Sequence, residues 1–175
     1  LKTLGGDLND TLVNLSQNVT IQSSIDIESE FLNLYDFIQK ALESQNSLVL
    51  LKKAIIKIDV KKDLLVFYNR SYLLSILNYF ITNALRCNHP DRSLTIALTT
   101  FYENGQLVLS IADNGIGVDL KSYEDKQIDD LTYVETSYMK GFGSLLVKKQ
   151  IQAMGGSIEI KTQPDLGTEF KIYFK

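Results

Sequence analysis

The sequence has few of the residues on which several common kinds of site depend. Its 175 residues include one cysteine, Cys87, and one histidine, His89. A lone cysteine excludes an intrachain disulfide and a cysteine-based zinc cluster, so a reducing compartment is expected. A lone histidine, placed beside Pro90 in a predicted turn, argues against serine and cysteine catalytic triads, which use a histidine base.

Charge and hydropathy exclude further classes. The net charge is -3 and the lysines and arginines form only short clusters, so no nucleic-acid partner is predicted. No apolar run approaches the roughly 20 residues that span a bilayer, and residues 1–25 lack the pattern of a signal peptide. With 45% hydrophobic residues the chain can bury one core, which predicts a single main domain with an appendage.

Apolar periodicity predicts helices combined with short strands. The predicted helices cover residues 1–24, 33–51, 72–86 and 141–154. The predicted strands cover residues 54–60, 64–68, 94–102, 106–112, 157–162 and 168–174. Helix 33–51 has an apolar inner side from Leu34 to Leu51, and residues 1–24 carry a narrow apolar stripe that needs a partner. Because strands and helices do not alternate regularly, the predicted fold class is α/β, a two-layer sandwich.

Local signals add turns and boundaries to this outline. Glu103-Asn104-Gly105 predicts a hairpin between the strands on either side of it. Residues 54–60 and 64–68 are predicted as two strands joined by a short turn, and Ser71 as the N-cap of the helix that follows. The charged stretch 118–140 predicts a long functional loop.

The most informative segment is Asp113-Asn114-Gly115-Ile116-Gly117, which directly follows a predicted strand. A carboxylate followed by two closely spaced glycines allows a backbone to turn sharply, approach a flat ligand and still offer a side-chain acceptor. The segment therefore predicts an adenine pocket.

Other segments are ambiguous when taken alone. Asn83 offers an oxygen that Mg²⁺ accepts, but a structural amide on an apolar helix is the simpler explanation. Arg86 could meet a phosphate or belong to the surface. Gly141-Phe142-Gly143 opens a predicted helix whose free N–H groups suit an anion, and a flexible loop end explains it too. Strands 157–162 and 168–174 are predicted to form a hairpin, and Gly167-Thr168 at the start of its second strand is explained equally well by a tight turn. The chain has neither a P-loop nor a dinucleotide-binding fingerprint.

The order of these segments resembles the nucleotide-binding boxes of the GHKL superfamily. Residues 148–174 are most similar to the catalytic and ATP-binding domain of two-component sensor histidine kinases. The resemblance implies a Bergerat-type ATP-binding fold, a mixed sheet packed against helices, over residues 33–175. Residues 1–25 resemble the C-terminal part of the second dimerisation and phosphoacceptor helix, and residues 26–32 would be the connector.

The resemblance implies ATP and Mg²⁺ as ligands. Asp113 would accept a hydrogen bond from the adenine amino group, Gly115 and Gly117 would let the backbone close over the base, and Thr168 would help to hold it. Asn83 would bind Mg²⁺. The phosphates would lie beneath a lid formed by the predicted loop and would be held by Arg86, Lys140, Gly141 and Gly143.

Two departures from the family pattern leave the catalytic half of this interpretation open. Tyr79 stands where the family usually has Asn, Asp or Glu, and Met139 and Ser144 stand where it often has glycine and leucine. One function is donation of the ATP γ-phosphoryl group to a histidine on an upstream helical hairpin. The alternative is a catalytically weak or dead pseudokinase that senses nucleotide or acts as a scaffold. Another GHKL ATPase, such as an anti-sigma kinase, is disfavoured by the predicted N-terminal helix.

The resemblance also implies partners and a location. The expected partners are a response regulator receiver domain and the dimerisation and phosphoacceptor helices of the same protein. A homodimer of the full-length parent is expected as well. The domain would lie in the cytoplasm, with a parent anchored in the inner membrane.

Overall fold

The computed structural model describes residues 27–118 and 143–175. The helices are α1 (Leu34–Ser44), α2 (Asn46–Lys52), α3 (Arg70–Arg86) and α4 (Gly143–Ala153). The strands are β1 (Glu30–Asn33), β2 (Ile55–Asp59), β3 (Leu65–Tyr68), β4 (Thr95–Glu103), β5 (Gln106–Asp113), β6 (Ser157–Gln163) and β7 (Gly167–Tyr173).

The main sheet contains five strands in the order β2-β4-β5-β7-β6. β2 is parallel to β4, and the other neighbours are antiparallel. β1 and β3 form a separate antiparallel pair. The predicted α/β sandwich, a mixed sheet packed against helices, is confirmed.

The core lies between the main sheet and α3. Inward-facing strand residues such as Leu98, Leu109 and Phe170 are almost fully buried, because alternate side chains point to the same face of a sheet. Phe80 of α3 is 0% exposed, and its ring centroid lies 4.6 Å from that of Phe170. Helices α1 and α4 both pack against α3. The position of α3 is therefore set by contacts on several sides.

Both predicted hairpins are confirmed. Asn104 and Gly105 join β4 to β5 with φ values of 52° and 82°, and positive φ at both positions is what a two-residue turn of this hand requires. β6 pairs with β7 from Ser157 to Gln163. This second hairpin brings the start of β7 to the carboxyl end of β5.

The predicted neighbours of two strands are wrong. Residues 55–59 and 65–68 form strands, but β2 pairs with β4 while β3 pairs with β1. Part of the predicted connector, residues 26–32, belongs to β1. Apolar alternation identifies a strand without identifying its partner, and β1 is only four residues long.

Two helix boundaries also differ from the prediction. The predicted helix 33–51 is divided at Gln45 into α1 and α2, and Leu51 is 74% exposed rather than on the inner side. Asn69, not Ser71, is the N-cap of α3, since its side chain accepts a hydrogen bond of 3.0 Å from the Tyr72 N–H. Asparagine and serine cap equally well, so composition alone did not choose between them.

Other predictions concern residues that the structure does not describe. The predicted helix over residues 1–24 and the predicted loop over residues 118–140, apart from Val118, lie outside the described residues. Among the helices of the described part, none is long and apolar enough to cross a membrane.

Phe80→Ala is expected to lower the free energy of unfolding by about 3–5 kcal/mol, because it removes a fully buried ring and leaves a cavity against Phe170. Phe31→Ala is the matched control, since Phe31 is 71% exposed and loses little buried surface. Urea unfolding measures both values. Equal losses in the two variants would contradict this account of the core.

Candidate nucleotide-binding site

The site is built around the carboxyl end of β5. Asp113 is the last residue of this strand and lies opposite Ile96 of β4 and Thr168 of β7. Because directly opposed residues on paired strands are close neighbours, the sheet brings Asp113 and Thr168 together. These two residues were predicted to hold adenine from segments more than 50 positions apart in the sequence.

The Asp113 carboxylate is largely withdrawn from water. Burial raises its pKa from the ordinary value of 3.8 to about 6, and the backbone N–H groups of Gly115 and Thr168 and the charge of Arg92 partly oppose that rise. Its Oδ1 atom accepts a 2.8 Å hydrogen bond from the Gly115 N–H. Above pH 6 the group is a partly buried, oriented carboxylate with acceptor capacity left for a ligand.

Two glycines of the segment lie where no side chain fits. A Cβ atom on Gly115 would come within 2.1 Å of the Cys87 carbonyl oxygen, and one on Gly117 within 1.9 Å of the Gln163 carbonyl oxygen. Gly117 also has a φ of 62°. The loop after β5 therefore touches backbone on two sides, and glycine is required at both positions for that close approach.

The loop after β5 is also bonded to the end of α3. The Ile116 N–H donates to the Cys87 carbonyl at 2.9 Å, and the Cys87 N–H donates to the Asn83 carbonyl at 3.0 Å. Burial and the nearby Asp113 raise the pKa of the Cys87 thiol, while Arg86 lowers it. The last turn of α3, with Asn83 and the exposed Arg86, thus lies beside the predicted adenine pocket.

Asn83 fits a role as a ligand to a cation. It is 8% exposed, and its Nδ2 atom has no hydrogen-bond partner among the described residues. The unpartnered nitrogen is a hydrogen-bond donor, so the atom that could bind a cation is the amide oxygen, a hard ligand that Mg²⁺ accepts. No group of three or more His, Cys, Asp or Glu side chains suitable for a metal ion exists within residues 27–118 and 143–175.

Thr168 is held by a second threonine. Its Oγ1 atom lies 3.0 Å from Oγ1 of Thr162 on β6, which also accepts a 2.9 Å hydrogen bond from the Val118 N–H. Thr168 is 8% exposed. The hydroxyl pair therefore ties the start of β7 to Val118 in the loop after β5.

The predicted phosphate side is described only in part. Gly143 is the first residue of α4, which packs against α3, the helix that carries Asn83. Lys140 and Gly141 lie outside the described residues. Tyr79, at the position of the first departure from the family pattern, has its ring 5.1 Å from that of Phe80, in an edge-to-face arrangement.

Two residues that organise the site were not predicted. Asn114 closes the ends of β4 and β5, because its Oδ1 accepts from the Thr95 N–H at 2.7 Å and its Nδ2 donates to the Ser93 carbonyl at 2.9 Å. An asparagine after a strand is a turn signal that could have identified this role. Arg92 donates to backbone carbonyls of distant segments, for which the sequence has no local signal.

Comparison with known proteins identifies the family to which most of these residues belong. The family described as "Histidine kinase-, DNA gyrase B-, and HSP90-like ATPase" matches residues 68–175. Sensor protein RprX of Bacteroides fragilis is 32% identical over 112 residues, which cover 61% of this chain and 21% of that protein. Sensor histidine kinase DcuS of Escherichia coli is 31% identical over 98 residues, which cover 56% of this chain and 18% of that protein. The chain thus spans about a fifth of the length of these relatives.

Solved structures share the fold. Histidine kinase AdeS of Acinetobacter baumannii has a TM-score of 0.68 at 20% identity, covering 97% of this chain and 77% of that chain. Full-length ShkA in complex with AMPPNP has a TM-score of 0.67 at 20% identity, covering 87% of this chain and 32% of that chain. These likenesses show the fold, an α/β sandwich with a mixed sheet packed against helices.

Since the family match covers more than half of its length, the chain belongs to the histidine kinase-, DNA gyrase B- and HSP90-like ATPase family. Its named relatives are sensor proteins and sensor histidine kinases, and the predicted resemblance to the catalytic domain of that group is confirmed.

Gly115→Ala is expected to destabilise the fold more than Gly105→Ala. The new methyl group would overlap the Cys87 carbonyl, which is backbone and cannot rotate away. Gly105 has a positive φ but open space around it, so alanine there costs only about 1–2 kcal/mol of backbone strain. Thermal unfolding of both variants tests this, and an equal or smaller loss for Gly115→Ala would contradict the close approach.

Asp113→Asn is expected to stabilise the protein at pH 7.5. A higher pKa in the folded than in the unfolded state means that the free energy of unfolding falls as pH rises from about 4 to about 6. Removing the buried charge should therefore raise that free energy by about 1–2 kcal/mol at pH 7.5 and change it little near pH 4. The exposed Asp63→Asn is the control, and urea unfolding at both pH values shows whether only Asp113 behaves this way.

Proposed function

We propose that this chain is the ATP-binding catalytic domain of a sensor histidine kinase and donates the ATP γ-phosphoryl group to a histidine on a separate helical hairpin. The observation that carries the proposal is the partly buried Asp113 carboxylate at a strand end, next to backbone that only glycine permits. Burying a charge costs stability, and a carboxylate with a pKa perturbed in this way is a candidate for ligand binding.

Adenine is the ligand that suits this carboxylate. An exocyclic amino group donates to Asp113, the flat ring lies against the loop that Gly115 and Gly117 keep thin, and Thr168 borders the same pocket. The bond to the Gly115 N–H already orients the carboxylate, so little reorganisation is needed on binding. The AMPPNP complex of ShkA, which has the same fold, supports an adenine nucleotide as the ligand.

Asn83 would hold Mg²⁺ together with the nucleotide phosphates. The ion supplies positive charge that neutralises the phosphates during transfer. Arg86 is exposed and lies one turn beyond Asn83 at the end of the same helix. We assign it to the phosphates, along with Lys140, Gly141 and Gly143.

The phosphoacceptor histidine must lie outside this sequence, because His89 is its only histidine. His89 is already engaged within the domain: its Nε2 atom lies 3.5 Å from Asp165 Oδ1, and its Nδ1 atom accepts from the Asp91 N–H. The proposal therefore includes a phosphoacceptor hairpin, of which residues 1–25 are the last part. It also includes homodimerisation through that hairpin and a response regulator receiver domain as the next phosphoryl acceptor.

The proposed location follows from these partners. We place the domain in the cytoplasm, where a response regulator receives the phosphoryl group, and we propose that the parent protein is anchored in the inner membrane.

Tyr79 favours a second candidate function, a domain that binds nucleotide but transfers phosphate weakly. Tyr79 lies one helical turn before Asn83. Its phenol cannot act as a carboxylate or an amide would towards the attacking group or the metal. Loss of one such group commonly lowers a rate by about a hundredfold or more.

Asp113→Asn is expected to weaken binding of a fluorescent ATP analogue by about 10–100-fold at pH 7.5, since a hydrogen bond to a charged group is lost. Binding to the unaltered protein should weaken as the pH falls below about 6, where Asp113 takes up a proton, and the variant should lack that dependence. Asp63→Asn is the matched control. Absence of saturable binding to the unaltered protein at millimolar nucleotide would refute the proposed function.

Phosphoryl transfer is tested by mixing this domain with the histidine-bearing hairpin of its parent and labelled ATP. The leading proposal expects histidine-linked label that disappears without Mg²⁺ and in Asn83→Ala, the metal-site variant. If label forms only in Tyr79→Asn, the second candidate is correct. If neither the unaltered domain nor the Tyr79→Asn variant labels the hairpin, although both bind nucleotide, kinase activity is excluded.

A further inference from the structure

Arg92 makes an unusual set of contacts at the rim of the site. Its Nε atom donates to the Asn114 carbonyl at 2.6 Å, and one terminal nitrogen donates to the Gly115 carbonyl at 2.8 Å. The same nitrogen also donates to the Asp165 carbonyl. A single guanidinium thus joins backbone oxygens from two segments about 50 residues apart in the sequence.

Both segments adjoin residues of the proposed adenine-binding site. Asn114 and Gly115 directly follow Asp113, whereas Asp165 lies in the turn between β6 and β7, two residues before Gly167. The Asp165 N–H also donates to the Ile116 carbonyl at 2.7 Å. Arg92 therefore reinforces a contact that holds the loop after β5 against this turn.

The chemistry of the contact suits arginine and no other side chain. A guanidinium is planar and presents several N–H donors in a fixed fork, so it can reach several carbonyls at once. A lysine ammonium would keep the charge but is a flexible point donor. The His89 ring, which faces Asp165, belongs to the same short segment as Arg92 and makes a second link between these elements.

We propose that Arg92 is a positioning residue for the nucleotide site: it clamps the loop after β5 to the β6–β7 turn and so holds Asp113 and Gly115 in the arrangement that receives adenine. The inference rests on the proposed function for its ligand. Arg92 itself contacts backbone rather than nucleotide in this account.

The clamp has consequences for both affinity and its dependence on pH. Affinity depends on the position of the Asp113 carboxylate, because a displacement of about 1 Å largely removes its hydrogen bond to the ligand. The groups around the Asp113 carboxylate are the N–H groups of Gly115 and Thr168, the Cys87 thiol and the Arg92 cation. Removing that cation raises the pKa of Asp113. As the pH is lowered, a variant without the cation should therefore lose binding at a higher pH than the unaltered protein does.

The test compares Arg92→Met, Arg92→Lys and Arg70→Met. Arg70 is the matched control, because it is also a partly exposed arginine, paired with Glu30 at 2.9 Å, and its replacement changes the net charge equally. Arg92→Met should weaken binding of the fluorescent ATP analogue about tenfold and move the acidic limb of binding to higher pH. Arg92→Lys should weaken binding without moving that limb, and Arg70→Met should do neither.

Amide hydrogen exchange gives a second measurement that needs no nucleotide. The Asp165 N–H donates to the Ile116 carbonyl across the two segments, and the Ile116 N–H donates to the Cys87 carbonyl. Exchange at both N–H groups should quicken about fivefold or more in both Arg92 variants, because the clamp holds the loop that carries Ile116, while Leu109 inside β5 stays unchanged. If Arg92→Met does not fold, Arg92→Lys decides. Unchanged exchange, or affinity within twofold of the unaltered protein in a folded Arg92 variant, would overturn the proposal.

Failure of the clamp and failure of the proposed function give different results. If the unaltered protein binds no nucleotide but both variants show faster exchange at Ile116 and Asp165, the clamp exists and its ligand is wrongly assigned, so the positioning proposal fails with the function. If the unaltered protein binds and Asp113→Asn does not, but both Arg92 variants bind normally, only the positioning role is refuted.

Discussion

The site depends on the close approach of the loop after β5 to the carbonyl end of α3. The Cys87 carbonyl, which has no partner within its own helix, accepts the Ile116 N–H, and Gly115 leaves room for the approach. Because α3 is held in the core by residues such as Phe80, the loop inherits a fixed position. The core therefore positions the described part of the pocket, although that part is made of loop backbone.

The same arrangement places two polar groups where burial lowers the stability of the protein. Asp113 carries a carboxylate whose pKa is raised by burial, and Asn83 has a buried amide nitrogen without a partner among the described residues. Each lowers the stability of the ligand-free domain. Polar groups whose burial lowers stability are typical of functional sites. Here Asp113 and Asn83 both lie beside the end of α3.

Local chemistry explains which elements could be predicted. The hairpin at Asn104 and Gly105 follows from turn residues that tolerate positive φ, and the buried faces of α1 and α3 follow from apolar spacing. The parallel pairing of β2 with β4 could not be read from either strand, because alternation is the same whatever the neighbour is. β1 was missed since four residues carry too little pattern to separate a strand from a connector.

The sequence by itself determined the apolar alternation within the strands and the glycines that allow a close approach of backbone. It also determined the ordered segments that resemble an ATP-binding domain. Those features depend on residues adjacent in the chain. Only the tertiary structure decided that Thr168 lies opposite Asp113 and that Arg92 joins two distant loops. Such contacts arise from how the sheet and α3 bring remote segments together, and no local propensity of the residues involved encodes them.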